Sequence, residues 1–185
     1  MLGTALLAAF AFVLQFWELP MPLSPAFARM DLSDLPALIG AFAYGPFWGI
    51  GIELLKNVLH LPQSATAGVG ELANFLMGAA LTAPAGFIYR NRKSRRGALA
   101  ACLCGSLCMG IASAVSNYYI LLPLFEGFMP IEQMIEAFAE FIPLIHSKLG
   151  IVLLNALPMN ILKGLMISMI TMLLYKRISP VLKGR

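Results

Sequence analysis

Long apolar segments alternate with short polar connections along the whole chain, and several of these segments contain no charged residue. An apolar run of about 20 residues can cross a hydrocarbon core of roughly 30 Å as a helix. The pattern therefore predicts an all-α integral membrane protein with six transmembrane helices in a single bundle. The predicted helices are 2–18, 33–45, 46–61, 70–89, 97–122 and 149–176, with outer connections at 19–32 and 123–148.

The number of crossings depends on the segment from Asp34 to Leu61, which Gly45 and Pro46 interrupt. One kinked helix would give five crossings, whereas a tight turn would give two short helices and six crossings. Helices of about 14 to 16 residues span only ~21 to 24 Å, which is thin for a bilayer. We prefer six crossings, because they place the acidic first connection outside and both termini in the cytoplasm.

Composition and charge also fit a membrane protein. The chain has 185 residues, 59% of them hydrophobic and 12% charged, which indicates one bundle rather than a soluble domain. Most basic residues fall in two clusters that contain no acid: Arg90, Arg92, Lys93, Arg95 and Arg96, then Lys176, Arg177, Lys183 and Arg185. The positive-inside rule places both clusters in the cytoplasm. The net charge of +4 therefore follows the membrane and does not indicate nucleic-acid binding.

Lys163 lies about midway along the last apolar run, which extends from Leu149 to Leu174. An unpaired ammonium group at the bilayer centre costs at least ~2.5 kcal/mol, so it requires a partner. Asn160 precedes Lys163 by one helical turn and shares its face. Two interpretations stay open: a salt bridge or hydrogen bond to another helix, or a pocket for a partly polar small molecule. Pro158 is expected to kink the helix beside these groups.

Polar side chains also interrupt the other predicted helices. Glu53 and Lys56 share a helix face, so an ion pair within the helix is expected. Glu71 and Asn74 lie one turn apart near a helix start, where they either cap the helix or line a pocket. Asn117 is the one amide in the outer half of helix 97–122, and a buried amide needs a partner.

The first outer connection is rich in proline yet apolar, so it is expected to fold back onto the protein with Phe27 and Met30. Asp31, Ser33 and Asp34 follow at the start of the next helix. Ser33 or Asp34 is expected to cap that helix. Asp31 and Asp34 are poor candidates for a metal site, because no third carboxylate or histidine stands nearby.

The second outer connection contains acidic residues at helical spacing with apolar residues between them. Glu132, Glu136 and Glu140 would occupy one face of an amphipathic helix on the outer surface. This helix would serve either as a lid over a site that opens outward or as an inert surface helix.

Motifs for catalysis are absent from the sequence. It contains no GxxxxGK[ST] phosphate loop, no GxSxG and no HExxH, and no nucleophile and base can be paired. Cys102, Cys104 and Cys108 lie in one apolar helix without metal-ligand spacing and are expected to be small apolar groups. No enzyme activity and no metal site are predicted.

Four blocks spread over nearly the whole chain carry a family resemblance: Asp31-Leu32-Ser33-Asp34-Leu35-Pro36-Ala37-Leu38, Gly45-Pro46-Phe47-Trp48-Gly49 with Lys56-Asn57, Gly70-Glu71-Leu72-Ala73-Asn74-Phe75, and Asn160-Ile161-Leu162-Lys163. Together they resemble the substrate-binding S component of bacterial energy-coupling factor (ECF) vitamin transporters, and most closely its riboflavin-specific branch. Each block alone is a weak signal, whereas the combination is specific.

The resemblance implies a multi-pass protein of the bacterial cell membrane that binds riboflavin (vitamin B2) from outside with high affinity. Uptake would require the transmembrane coupling protein EcfT and the ATPases EcfA and EcfA′, since the chain has no ATPase of its own. Riboflavin would be the transported ligand, and no cofactor is expected; FMN binding stays open. Alternatives are an S component for thiamine, biotin or pantothenate, or a small intramembrane enzyme that uses Lys163 or Glu71.

The resemblance also implies roles for individual residues. Riboflavin-binding members use an Asn and a Lys one turn apart on the last helix, which match Asn160 and Lys163; both would donate to ring carbonyls. An Asn on an earlier helix matches Asn117. The full predicted substrate-binding set is Asn160, Lys163, Asn117, Phe27, Met30, Asp31, Glu71 and Asn74. Ala5 and Ala9 match a motif that faces the coupling protein, and their spacing also allows close helix packing.

Overall fold

The structure is a computed structural model. It describes residues 2–26 and 28–182, with the side chains of the last helix described up to Tyr175. The described residues form seven helices, which are α1 (Leu2–Gln15), α2 (Asp34–Tyr44), α3 (Pro46–His60), α4 (Val69–Asn91), α5 (Arg95–Phe125), α6 (Ile131–Ala139), and α7, which joins Lys148–Ile151, Val152–Ala156 and Leu157–Leu182.

Three of these helices are long and apolar enough to cross a membrane. They are α4, α5 and the segment Lys148–Tyr175 of α7, while α1 and α2 are apolar but shorter. The bounds differ from the predicted ones mainly at α1, which ends at Gln15, and at α5, which continues to Phe125. The mostly helical, membrane-type fold is therefore as predicted.

The segment around Gly45 forms two separate helices rather than one kinked helix. Gly45 has a φ of 110°, a backbone conformation that favours glycine, and Pro46 occupies the first turn of α3. Beyond the turn α3 packs closely on α2, because Gly49 leaves room for Ala41: an added Cβ at Gly49 would stand 2.6 Å from the Ala41 Cβ. The turn and this close approach define the α2–α3 pair.

Gly49→Ala is expected to lower the free energy of unfolding by about 1–3 kcal/mol, because the added methyl group overpacks the α2–α3 contact. Gly51→Ala is the matched control, since a Cβ built at Gly51 has no described atom within 4 Å apart from its chain neighbours and the backbone of its own helix. There the same substitution should be neutral or slightly stabilising. Unfolding of the purified variants in detergent compares the two, and equal stability would contradict the proposed close packing.

One end of the bundle is closed by aromatic contacts. The Phe42 ring stacks on Tyr89 with 4.3 Å between the centroids, and the Tyr175 hydroxyl donates to the Phe42 carbonyl at 3.2 Å. The Gly45 turn lies at this end together with Arg90 and Lys93, which line the same cavity of about 360 Å³. The α2–α3 turn and the basic α4–α5 turn are therefore neighbours.

The opposite end is closed by the first connection. Its two short antiparallel strands, β1 (Leu19–Pro20) and β2 (Arg29–Met30), form a small loop structure. Asn155 of α7 ties this loop down, because its amide donates to the Leu23 carbonyl at 3.0 Å and to the Ser24 hydroxyl at 2.8 Å. The first connection thus folds back onto the protein.

The amphipathic segment of the second connection forms helix α6. Met134 and Phe138 are buried in a small apolar cluster with Ile145, whereas Glu132 and Glu136 are exposed. The predicted amphipathic helix is therefore present. Its role as a lid stays a prediction.

Candidate ligand-binding site

A buried cluster of charged side chains lies where α2, α3 and α7 meet. Asp34, at the start of α2, is fully buried and contacts two lysines. Its Oδ1 accepts from Lys56 Nζ at 2.5 Å, and its Oδ2 lies 2.9 Å from Lys163 Nζ. One carboxylate thus pairs with lysines from two other helices. Charged groups that are removed from water require such partners.

The Lys56 ammonium group contacts three buried polar side chains. Besides Asp34, its ammonium group contacts Glu53 Oε2 at 2.8 Å and donates to Ser33 Oγ at 2.6 Å. The predicted Glu53–Lys56 pair is confirmed, although the sequence did not reveal that Asp34 shares it. The Glu53 carboxylate lies directly against Gly78 of α4, where any added side chain would collide with it.

Asp31 connects the first outer connection to this cluster. Its Oδ1 accepts from the Ser33 amide at 2.8 Å and lies 3.8 Å from Lys163 Nζ. Its Oδ2 accepts from Asn74 of α4 at 2.6 Å. Asp31, Asn74 and Lys163, three members of the predicted site, are therefore brought together.

The predicted capping role of Ser33 and Asp34 is wrong. Ser33 stands at the N-cap position of α2, but its side chain makes no capping hydrogen bond. The hydroxyl accepts from Lys56 and donates to Asp31, and the Asp34 carboxylate faces the lysines. Leaving buried ammonium groups unpaired costs more than losing one helix cap, which contributes about 1 kcal/mol. The Ser33 and Asp34 side chains therefore contact the lysines and do not cap the helix.

Lys163 therefore has protein partners in this structure. The salt bridge to another helix, which the sequence left open beside a ligand pocket, is present at Asp34. An ammonium group has three N–H donors, so an ion pair to one carboxylate does not exhaust its capacity. The two interpretations are compatible.

Two carboxamides converge on a second point, the hydroxyl of Ser113 on α5. Asn117 Nδ2 lies 3.2 Å from Ser113 Oγ, and Asn160 Nδ2 of α7 donates to the same oxygen at 2.8 Å. Asn117 begins a π-helical turn, Asn117–Leu121, and a second such turn, Val152–Ala156, precedes Asn160. Turns of this kind occur often at functional sites.

The hydrogen bonds fix which end of each amide is available. Asn160 Nδ2 also donates to the Ala156 carbonyl at 2.9 Å, and Asn117 Nδ2 to the Ser113 carbonyl at 2.9 Å. Because each nitrogen has two acceptors, only the Oδ1 atoms are left for a ligand. Asn160 therefore offers an acceptor, contrary to the predicted donation to ring carbonyls.

The remaining predicted site residues are placed less centrally. Met30 is half-buried in β2, and Phe27 lies outside the described residues. Glu71 contacts the His60 ring at 2.8 Å and accepts from Ser64 at 2.6 Å, so its carboxylate is satisfied within the α3–α4 connection. Neither of the two described cavities, of about 360 and 700 Å³, is lined by Asn117, Asn160 or Lys163.

Sequence reasoning missed Asp34 and Ser113 as members of the site. The sequence signal for Asp34 is its place in the block from Asp31 to Leu38 that carries the family resemblance. Ser113 gave no signal beyond lying one turn before Asn117. No group of three potential metal-binding side chains occurs among the described residues.

An apolar helix bundle that holds a buried cation and two oriented carboxamides near a folded-back connection is suited to bind a small molecule within a membrane. Residues 1–175 match the family described as "ECF transporter, substrate-specific component", and the chain belongs to this family. The predicted resemblance is thus confirmed.

Similar proteins support the assignment of the chain to this family. The chain is 35% identical to a protein named riboflavin transporter RibU of Staphylococcus aureus (strain TCH60), over 97% of this chain and 89% of that protein. It is 31% identical to riboflavin transporter FmnP of Bacillus subtilis (strain 168), over 95% and 90%. A solved structure titled "Structure and mechanism of the S component of a bacterial ECF transporter" matches with a TM-score of 0.77 and 34% identity, covering 98% of this chain and 96% of the other.

Proposed function

We propose that this protein binds riboflavin and delivers it for uptake as the substrate-specific subunit of an ECF transporter. The observation that carries the proposal is identity of 35% and 31%, over nearly complete chains, to proteins named riboflavin transporters. Riboflavin is then a transported ligand and not a resident cofactor. The transmembrane protein EcfT and the ATPases EcfA and EcfA′ supply coupling and ATP hydrolysis.

The geometry of the site suits the polar edge of the flavin ring, where an N–H group lies between two carbonyl groups. Lys163 donates to a carbonyl oxygen, while the free Oδ1 atoms of Asn160 and Asn117 accept from N–H or O–H groups. Asp31 stands beside Lys163 as a further acceptor. The apolar first connection, with Met30, covers the ring. A few placed polar groups in an apolar surrounding are typical of such sites.

The proposed topology has six crossings, made by α1 to α5 and α7, with α6 on the outer surface. The α2–α3 turn shares its end of the bundle with Arg90 and Lys93, which the positive-inside rule assigns to the cytoplasm. Both termini then lie in the cytoplasm of the bacterial cell. Ala5 and Ala9 are exposed on α1, while Ala8 and Ala11 are buried, so the former are free to face EcfT.

Lys163→Met is expected to weaken riboflavin binding by about 10- to 150-fold, because a hydrogen bond from a charged donor contributes roughly 1.5–3 kcal/mol. Titration of the purified protein by quenching of flavin fluorescence measures the change. Lys148→Met is the matched control and should leave riboflavin binding unchanged. Lys148 begins α7, and its ammonium group lies over the Tyr118 ring, 4.8 Å from the ring centroid.

A protein that binds no riboflavin before mutation would refute the proposed function. Binding that is equal in the unmodified protein and in Lys163→Met would instead remove Lys163 from the site and leave riboflavin as the ligand. A yellow purified protein with the absorption spectrum of a flavin is the simplest supporting observation.

A further inference from the structure

We propose that Ser113 is a positioning residue that fixes the carboxamides of Asn117 and Asn160 as acceptors, and so selects a ligand that presents an N–H donor to them. This inference rests on the proposed riboflavin function and adds the basis of recognition. Neither Ser113 nor the direction of the amides follows from the sequence. The structure supplies both.

Ser113 is fully buried on α5, at its contact with α7. Its hydroxyl donates its one hydrogen to the Ala156 carbonyl at 3.2 Å. The lone pairs of the oxygen then accept from Asn160 Nδ2 at 2.8 Å and from Asn117 Nδ2 at 3.2 Å. A single hydroxyl therefore joins amides from two helices.

The orientation of both amides follows from partners that can only accept. Asn160 Nδ2 faces the Ala156 carbonyl, and Asn117 Nδ2 faces the Ser113 carbonyl, so nitrogen and not oxygen must stand at these positions. The hydroxyl takes the second N–H of each amide. With both N–H groups engaged, rotation of either amide would break two hydrogen bonds and would bring its oxygen against carbonyl oxygens.

The two Oδ1 atoms have no partner among the described residues, and both asparagines are half-buried. These acceptors are therefore available to pair with a ligand N–H. Lys163 lies one turn from Asn160 and supplies the neighbouring donor. A ligand edge with N–H next to carbonyl oxygen complements this pair, and an edge without N–H does not.

Riboflavin and its N3-methyl derivative distinguish the proposal from a purely structural role. Binding of both ligands is measured for the unmodified protein, Ser113→Ala and Ser113→Cys. The unmodified protein should prefer riboflavin by about 5- to 150-fold, since an acceptor left unmet against the methyl group costs roughly 1–3 kcal/mol. In Ser113→Ala riboflavin binding should fall about 10-fold and the preference should shrink, because each amide loses one of its two N–H partners and is held only by a backbone carbonyl. Ser113→Cys, with a weaker acceptor of similar size, should be intermediate.

Ser116→Ala is the matched control. The Ser116 hydroxyl is bonded only to carbonyls of its own helix, at Ala112 and Ser113. Ser116→Ala should bind both ligands with the affinity and the preference of the unmodified protein. The steric effect of the ligand's N3-methyl group is the same for every variant, so differences in preference between variants do not come from it. Equal losses for both ligands in Ser113→Ala and Ser113→Cys, with the preference unchanged, would overturn the positioning role. A protein that binds riboflavin but shows no preference would do so as well, while leaving the proposed function intact.

Discussion

Asp34→Asn is expected to lower the free energy of unfolding by about 3–5 kcal/mol, since it leaves buried charges without their counter-ion. Asp34 is fully buried and contacts the ammonium groups of both Lys56 and Lys163. The amide keeps the size of the side chain but removes its charge. Unfolding of the purified protein in detergent, followed by loss of helical signal, measures the change.

Two comparisons make this prediction specific. Glu18→Gln removes an exposed pair with Arg29, where 44% and 57% of the two side chains are accessible, and should change stability by less than about 1 kcal/mol. Adding Lys163→Met to Asp34→Asn removes the cation that loses its near counter-ion, while Lys56 keeps its pair with Glu53, and should recover part of the loss. If Asp34→Asn were as stable as Glu18→Gln, the buried cluster would not hold these helices together.

Replacing both Ala5 and Ala9 by tryptophan is expected to abolish riboflavin uptake while leaving binding unchanged. Both alanines are exposed on α1 and point away from the buried face that carries Ala8 and Ala11. Bulky side chains there would separate α1 from a closely packed partner helix, because small residues spaced by four allow such packing. Uptake in cells and fluorescence titration of the purified subunit measure the two activities.

Leu107 and Ile111 provide the matched control for this substitution. They are also four residues apart on one helix, α5, and are 54% and 60% exposed. Tryptophan at both positions should leave uptake intact if that face contacts lipid. Loss of binding in the Ala5 and Ala9 variant would make this face part of the fold and not a coupling surface.

Local sequence signals predict the mostly helical fold and single out a few polar residues within it. Gly45 and Pro46 marked the turn between α2 and α3, because the required backbone conformation depends on those two residues. Lys163 and Asn160 stood out as polar groups in an apolar run. The salt bridge of Lys163 to Asp34 did not, because the two residues are far apart in sequence and meet only through packing of α2 on α7.

The sequence also does not show the direction of the hydrogen bonds in the site. The sequence analysis expects Asn160 to donate, but an amide offers both donors and acceptors and the sequence does not show which are engaged. The Ala156 carbonyl and Ser113 hydroxyl decide this, and both lie where α5 and α7 touch. Local patterns predict which residues are unusual, whereas the role of each depends on its neighbours in space.

The two π-helical turns, Asn117–Leu121 and Val152–Ala156, have a consequence for how the chain can vary. Each accommodates one residue more than a regular α-helix would, and the wider turn absorbs it. Deleting one residue within Val152–Ala156 would straighten the backbone at little cost. The same deletion would turn the side chains inside Val152–Ala156, Asn155 among them, by up to about 100°, since each residue advances the helix by that angle. Asn155 would then release the first connection, and the outer entrance would lose its tether.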